Sequence, residues 1–146
     1  MVIQADFSKI FPIWKHDLWP DRISEITETS AMCFLGGYSL DNMVKPATFF
    51  AYKIDNMIVG VNSVHPCSDG GYRSRGLYVN PDFRNKGIGT VLLKESIDFA
   101  TSKGAGYIWS YPKYNSWSTY NKAGFKLASD WEDSELGKNA YCVRHL

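Results

Sequence analysis

The stretch Val79-Asn80-Pro81-Asp82-Phe83-Arg84-Asn85-Lys86-Gly87-Ile88-Gly89-Thr90 constrains this chain more than any other. It separates a run of strand character, Tyr72 to Val79, from an apolar helical stripe. That helix is expected over Gly87 to about Ser102, burying Val91, Leu92, Ile97, Phe99 and Ala100. A helix N-terminus presents unpaired N–H groups and partial positive charge, and glycine lets such a backbone approach a diphosphate closely. Arg84 and Lys86 add charge, so Arg84, Asn85, Lys86, Gly87, Ile88, Gly89 and Thr90 form a candidate phosphate-binding turn. No G-K-[ST] follows and the glycines do not read G-x-G-x-x-G, which disfavours the common nucleotide folds. By itself R-x-x-G-x-G arises by chance in about one chain in thirty of this length. Its bland reading is a softened helix start with solvated basic residues, so the flanking sequence has to decide.

The flanks describe a mixed α/β chain. Phe7, Ile10, Phe11 and Trp14 fall at helical spacing, and Ile23 and Ile26 extend a second short helical stripe after Pro20-Asp21. A loop containing Gly36-Gly37 and Pro46 leads to strands Thr48 to Ile54 and Met57 to Val64, joined by a turn at Asp55-Asn56. Asp69-Gly70-Gly71 turns the chain into the strand Tyr72 to Val79. Beyond the central helix come a short strand, Tyr107 to Ser110, and a helix from about Ser116 to Ala123 closed by Gly124. Phe125 to Trp131 and Ala140 to His145 suit a terminal hairpin. With 146 residues, and no repeat or linker, the expectation is one domain over 1–146.

Composition removes several function classes. Sixteen basic and 15 acidic residues give a net charge of +1, too weak a field to gather nucleic acid or an anionic membrane. No run of 18 apolar residues occurs, so the chain reads as soluble and cytoplasmic. Cys33, Cys67 and Cys142 are widely spaced, which suits buried free thiols. His65-x-Cys67-x-Asp69 lacks a further ligand at metal spacing, and no metal is expected. Five Trp, 9 Tyr and 8 Phe favour a dense core and an aromatic-lined pocket.

Val79 through Leu93 resembles the central motif of the GCN5-related N-acetyltransferases (GNAT), V-x-P-x-x-R-x-x-G-x-G followed by an apolar helix. A second motif of that family, a Tyr four residues before Gly-Phe, is matched by Tyr120-Asn121-Lys122-Ala123-Gly124-Phe125. The resemblance covers Thr48 to the C-terminus. It implies a central, mostly antiparallel, splayed sheet of about six to seven strands flanked by about four helices. It also implies acetyl-CoA as co-substrate, a primary amine as acceptor, and a cofactor entering between the strand ending at Val79 and the strand Tyr107 to Ser110. Leu77, Tyr78 and Val79 would then offer backbone groups to the pantetheine arm, Arg84 through Thr90 would hold the diphosphate, and Tyr120 would serve as general acid. Asn115 lies two residues out of step with a pantetheine-contacting Asn of the family, where this chain has Lys113, and is a further candidate.

The glutamate that many relatives carry on the strand before the motif is absent from Tyr72-Arg73-Ser74-Arg75-Gly76. Deprotonation of the amine then falls to ordered water and backbone carbonyls or to His65, whose ordinary pKa is near 6.5; the competing reading of His65 is an exposed turn residue. Arg73 and Arg75 share a strand face and read either as solvated surface residues or as recognising a carboxylate or phosphate on the acceptor. Trp14, Trp19, Glu25, Glu28 and Tyr38 lie in the N-terminal part where an acceptor pocket is expected, and core or surface packing explains each equally well. A small-molecule acceptor is slightly favoured over a protein. The competing classes are a non-catalytic acyl-CoA-binding or sensing module and an unrelated α/β domain. An exposed strand edge near the C-terminus leaves room for a homodimer.

Overall fold

Aromatic and β-branched runs, with consecutive residues buried in the central strands, build a seven-stranded sheet among the described residues. The computed structural model describes residues 1–135 and 137–146. Strand β1 (Val2–Ala5) is followed by β2 (Thr48–Ile54), β3 (Met57–Pro66), β4 (Tyr72–Val79), β5 (Tyr107–Ser110), β6 (Lys126–Leu127), β7 (Glu132–Ser134), β8 (Gly137–Asn139) and β9 (Cys142–His145). The main sheet has the order β1-β2-β3-β4-β5-β9-β6, and every pairing is antiparallel except β4 with β5. The expected terminal hairpin exists as β6 paired with β9, and the residues between them add the small β7-β8 hairpin.

Among the described residues three α-helices flank the sheet: α1 (Phe7–Ile13), α2 (Ile88–Ser102) and α3 (Trp117–Lys122). Helix α2 buries Ile88, Leu92, Leu93, Ser96, Ile97 and Ala100 against β3 and β4. Each fully buried Leu or Ile contributes roughly 1.5–3 kcal/mol. Val91, expected in that stripe, points outward at 42% exposure, because the buried positions lie on one side of the 3.6-residue repeat. A second core forms on the opposite face, where Ile10, Trp14 and Trp19 pack on Phe49, Ala51 and Val61.

The helix expected around Ile23 and Ile26 is absent, which leaves fewer helices than the four anticipated. Ile23 is 92% exposed and has no core to face. Tertiary partners satisfy this backbone instead. Glu135 accepts the N–H groups of Ile23 and Ser24 at 2.7 and 3.2 Å, and Arg75 donates to the Thr27 carbonyl at 2.6 Å. Helix α1 itself runs into a wider π-type turn, Trp14–Leu18, closed by Trp19 N–H on the Trp14 carbonyl at 2.8 Å.

Candidate active site

Strands β4 and β5 pair only at Tyr72 with Ile108 and at Arg73 with Trp109. Beyond that point β4 runs on to Val79 without its neighbour, and the sheet forks. The Ser110 hydroxyl bridges the crotch of the fork, donating to the Ser74 carbonyl at 2.7 Å. A bulge deforms β4 at the same level, since Val61 pairs with Tyr78 and Ser63 with Arg75, leaving one extra residue on β4. Gly76 sits in that bulge with φ +78, and a Cβ there would lie 2.3 Å from the Trp14 indole. Trp14 Nε1 donates to the Gly76 carbonyl at 2.9 Å and holds the bulge in place. Opposite it, Asn62 donates to the hydroxyls of Ser74 and Ser96, both at 2.9 Å, which locks β3, β4 and α2 through a buried polar cluster.

The mouth of the fork opens onto the N-terminus of α2. Gly87 precedes the helix in the left-handed region at φ +79, and the first intrahelical bond is from Val91 N–H to the Gly87 carbonyl. The preceding amides through Thr90 therefore have no helical carbonyl to bind. No side chain caps this end and its first turn holds no acidic residue, so the field there is open to an anion. A cleft of about 500 Å³ runs along these amides. Leu77, Tyr78, Val79, Arg84, Asn85, Gly87, Ile88, Gly89, Thr90 and Asn115 all line it; Lys86 alone among the predicted cofactor-binding residues does not, and its ammonium lies 5.6 Å from the Phe83 ring. Arg84 Nε donates to the Val79 carbonyl at 2.8 Å, so that carbonyl is occupied by the turn itself.

On the far side of the fork lies a second cavity of about 700 Å³, lined by β4, β5 and the irregular segment 18–43. Leu18, Leu77, Lys113 and Ser116 border both spaces, so the two meet at the fork. Tyr120 lines the second cavity with its hydroxyl 3.3 Å from Ser110 Oγ. The ring is 2% exposed and packs edge-on against Phe125. Burial pushes the Tyr120 phenol up to about 12, so it carries its proton at neutral pH. Ser110 and Thr119 went unnoticed in the sequence. Only the folding of α3 over β5 brings them to the fork, although Thr119 adjoins the Tyr of the second motif.

His65 is neither an exposed turn residue nor a base within reach of a substrate. Strand β3 extends to Pro66, the imidazole is fully buried, and it borders neither cavity. Burial pushes its pKa down to about 3, with Nε2 lacking a hydrogen-bond partner. Arg73 and Arg75 are likewise not solvated; they are 8% and 3% exposed and line the larger cavity. Trp19, Glu25 and Tyr38 line it too, whereas Trp14 stands behind as core and Glu28 does not reach it. Cys67 and Cys142 are buried thiols whose pKa values are raised by burial. Among the described residues no three His, Cys, Asp or Glu side chains cluster to hold a metal, and no helix is long and apolar enough to cross a membrane.

A forked sheet with open helix amides at its mouth and a protonated phenol in its crotch has the layout of an acyltransferase domain. The sequence matches the model of the acetyltransferase (GNAT) family over residues 7–125, and the chain belongs to that family. Solved structures agree on the fold. Ribosomal-protein-alanine N-acetyltransferase from Brucella melitensis superposes with a TM-score of 0.71 at 14% identity, covering 100% of this chain and 99% of that one. ElaA from Escherichia coli gives a TM-score of 0.73 at 9% identity over 99% of both chains. A GNAT family acetyltransferase from Elizabethkingia anophelis with acetyl-CoA bound gives 0.59 at 21% identity, covering 68% of this chain and 76% of that one. A search of curated proteins returns no match.

Proposed function

We propose that this protein is an N-acetyltransferase that moves the acetyl group of acetyl-CoA to a primary amine on a small molecule. One observation carries the reading: an amide-lined cleft and an acceptor-sized cavity meet at the fork, beside the Tyr120 hydroxyl. The residues present fit the cofactor. The α2 amides and Arg84 suit its diphosphate, and the unpaired edge of β4 near Leu77 and Tyr78 suits an amide-bearing arm. Acetyl-CoA supplies an activated thioester. Backbone N–H groups of the β4 bulge would meet the charge that builds on the thioester carbonyl oxygen. Tyr120 carries its proton at neutral pH and would give it to the departing thiolate. The enclosing segment 18–43 favours a small acceptor over a polypeptide, since a chain in transit needs an open groove.

The test is thermal unfolding with and without acetyl-CoA, followed by free-thiol release on a panel of amines. Ligand at 100 times its dissociation constant adds about 2.7 kcal/mol of stability. Stabilisation with no thiol release on any amine would favour a binding module; no stabilisation would sink the reading.

A further inference from the structure

Buried charges are tolerated in proteins when paired, and two in this cavity are not. Arg73 and Arg75 project from one face of β4 into the space where the acceptor would sit. The ion pairs of the described residues are Lys94 with Asp98 and Lys138 with Asp133, so neither arginine has a carboxylate partner. Arg73 stacks on Trp109 at 4.8 Å, and its Nε has no hydrogen-bond partner. Arg75 lies over Trp14 at 5.0 Å and Trp19 at 5.4 Å and gives one hydrogen bond, to the Thr27 carbonyl. Acidic residues do border the cavity, but all four are exposed and three of them are engaged elsewhere. Glu135 binds the Ile23 and Ser24 amides, Glu132 accepts from the Tyr111 hydroxyl at 2.7 Å, and Asp133 pairs with Lys138. Glu25, the fourth, is also exposed.

We infer that the acceptor is a small amine bearing an oxyanion, a carboxylate or phosphate, that the paired guanidinium groups of Arg73 and Arg75 bind in this cavity. The inference rests on the acetyltransfer reading and names its substrate class. A guanidinium offers a planar fork of donors matched to a carboxylate or phosphate edge, and stacking on indole keeps that fork flat and ordered before the ligand arrives. Two cations at this place also favour the uncharged form of a nearby amine, the form that attacks a thioester. That supplies part of what an absent carboxylate base would do. Burial lowers the pKa of both arginines, and Arg73, at about 10, keeps its charge at neutral pH.

The test uses the full chain saturated with coenzyme A, so that the diphosphate turn is filled, and reads unfolding temperature against matched probes. Glycine and β-alanine are compared with their carboxamides, and phosphoethanolamine with ethanolamine. An anionic probe at ten times its dissociation constant is expected to raise the midpoint by about 4 °C, and its neutral twin not at all. The carboxylate and phosphate arms tell the two oxyanions apart. Arg73→Met is expected to abolish the shift without lowering the stability of the ligand-free protein, because it removes a buried charge that nothing neutralises; Arg75→Met is expected to abolish the shift too, at some cost in stability because it frees the Thr27 carbonyl. Should either variant fail to fold, Arg73→Lys, which keeps the charge and loses the fork, is expected to weaken the shift. Neutral probes that stabilise equally, or anions that do not stabilise at millimolar concentration, overturn the inference. Failure of coenzyme A itself to stabilise the protein would instead overturn the acetyltransfer reading.

Discussion

Replacing Tyr120 by Phe removes a single oxygen from the fork, and the structure separates its effect on rate from its effect on folding. Ser110 Oγ keeps its 2.7 Å bond to the Ser74 carbonyl and loses only the longer 3.3 Å contact to the phenol. The ring stays against Phe125 at 5.3 Å, so no cavity opens. The expected stability cost is at most about 1 kcal/mol. Tyr120 does not line the amide-lined cleft, so affinity for acetyl-CoA is expected to be unchanged. Loss of a general acid lowers the rate by about 10²- to 10⁴-fold, or about 2.7–5.4 kcal/mol of barrier. With the phenol pushed up to about 12, the wild-type rate shows no falling limb from this group below about pH 10. Thiol release gives kcat across pH, and calorimetric titration gives acetyl-CoA affinity. A variant with wild-type turnover, or one that loses cofactor affinity and rate in equal measure, would refute the reasoning.

Three further perturbations follow. In the folded protein the His65 imidazole titrates near 3 against an ordinary 6.5, so the unfolded chain takes up the proton first. Stability is full above about pH 6.5 and falls as pH drops toward 3; urea unfolding should show a loss of about 2 kcal/mol between pH 7 and pH 5 that His65→Gln removes. Gly76→Ala would place a methyl group 2.3 Å from the Trp14 indole at φ +78, and should cost about 2–4 kcal/mol in chemical denaturation and displace the bulge. At Gly89 a Cβ would lie 3.1 Å from Thr119 Cγ2 and 3.7 Å from Val79 Cγ2, where α2 meets α3 at the mouth of the cleft. Gly89→Val should weaken acetyl-CoA binding about tenfold or more, measured by titration, while the protein stays folded.

Motif chemistry and residue periodicity were enough for the central half of the chain. Thr48–Ile54 and Tyr72–Val79 form strands over the ranges read from the sequence, and the helix after Gly87 ends at Ser102 as expected. These segments are legible because their signals are local: aromatic and β-branched content, a Pro that ends a strand, glycine at a helix end. The first 47 residues resisted the same treatment. Ile23 and Ile26 mimic a helical stripe, but their backbone is held by Glu135 and Arg75 from distant parts of the chain. A four-residue strand such as Val2–Ala5 is too short to show its alternation.

The sequence by itself determined the glycine turn before the central helix and the family resemblance, and it singled out Tyr120 as a candidate, because each depends on residues a few positions apart whose conformation is set by their own backbone. Only the tertiary structure decided the environments of Arg73, Arg75 and His65. Strand alternation told which face each occupies, but burial depends on what crosses that face. The chain laid segment 18–43 over the arginines and left the imidazole in the dry interior. Burial and the missing counter-charge are sums over contacts made by residues far apart in the chain, and no local pattern encodes them.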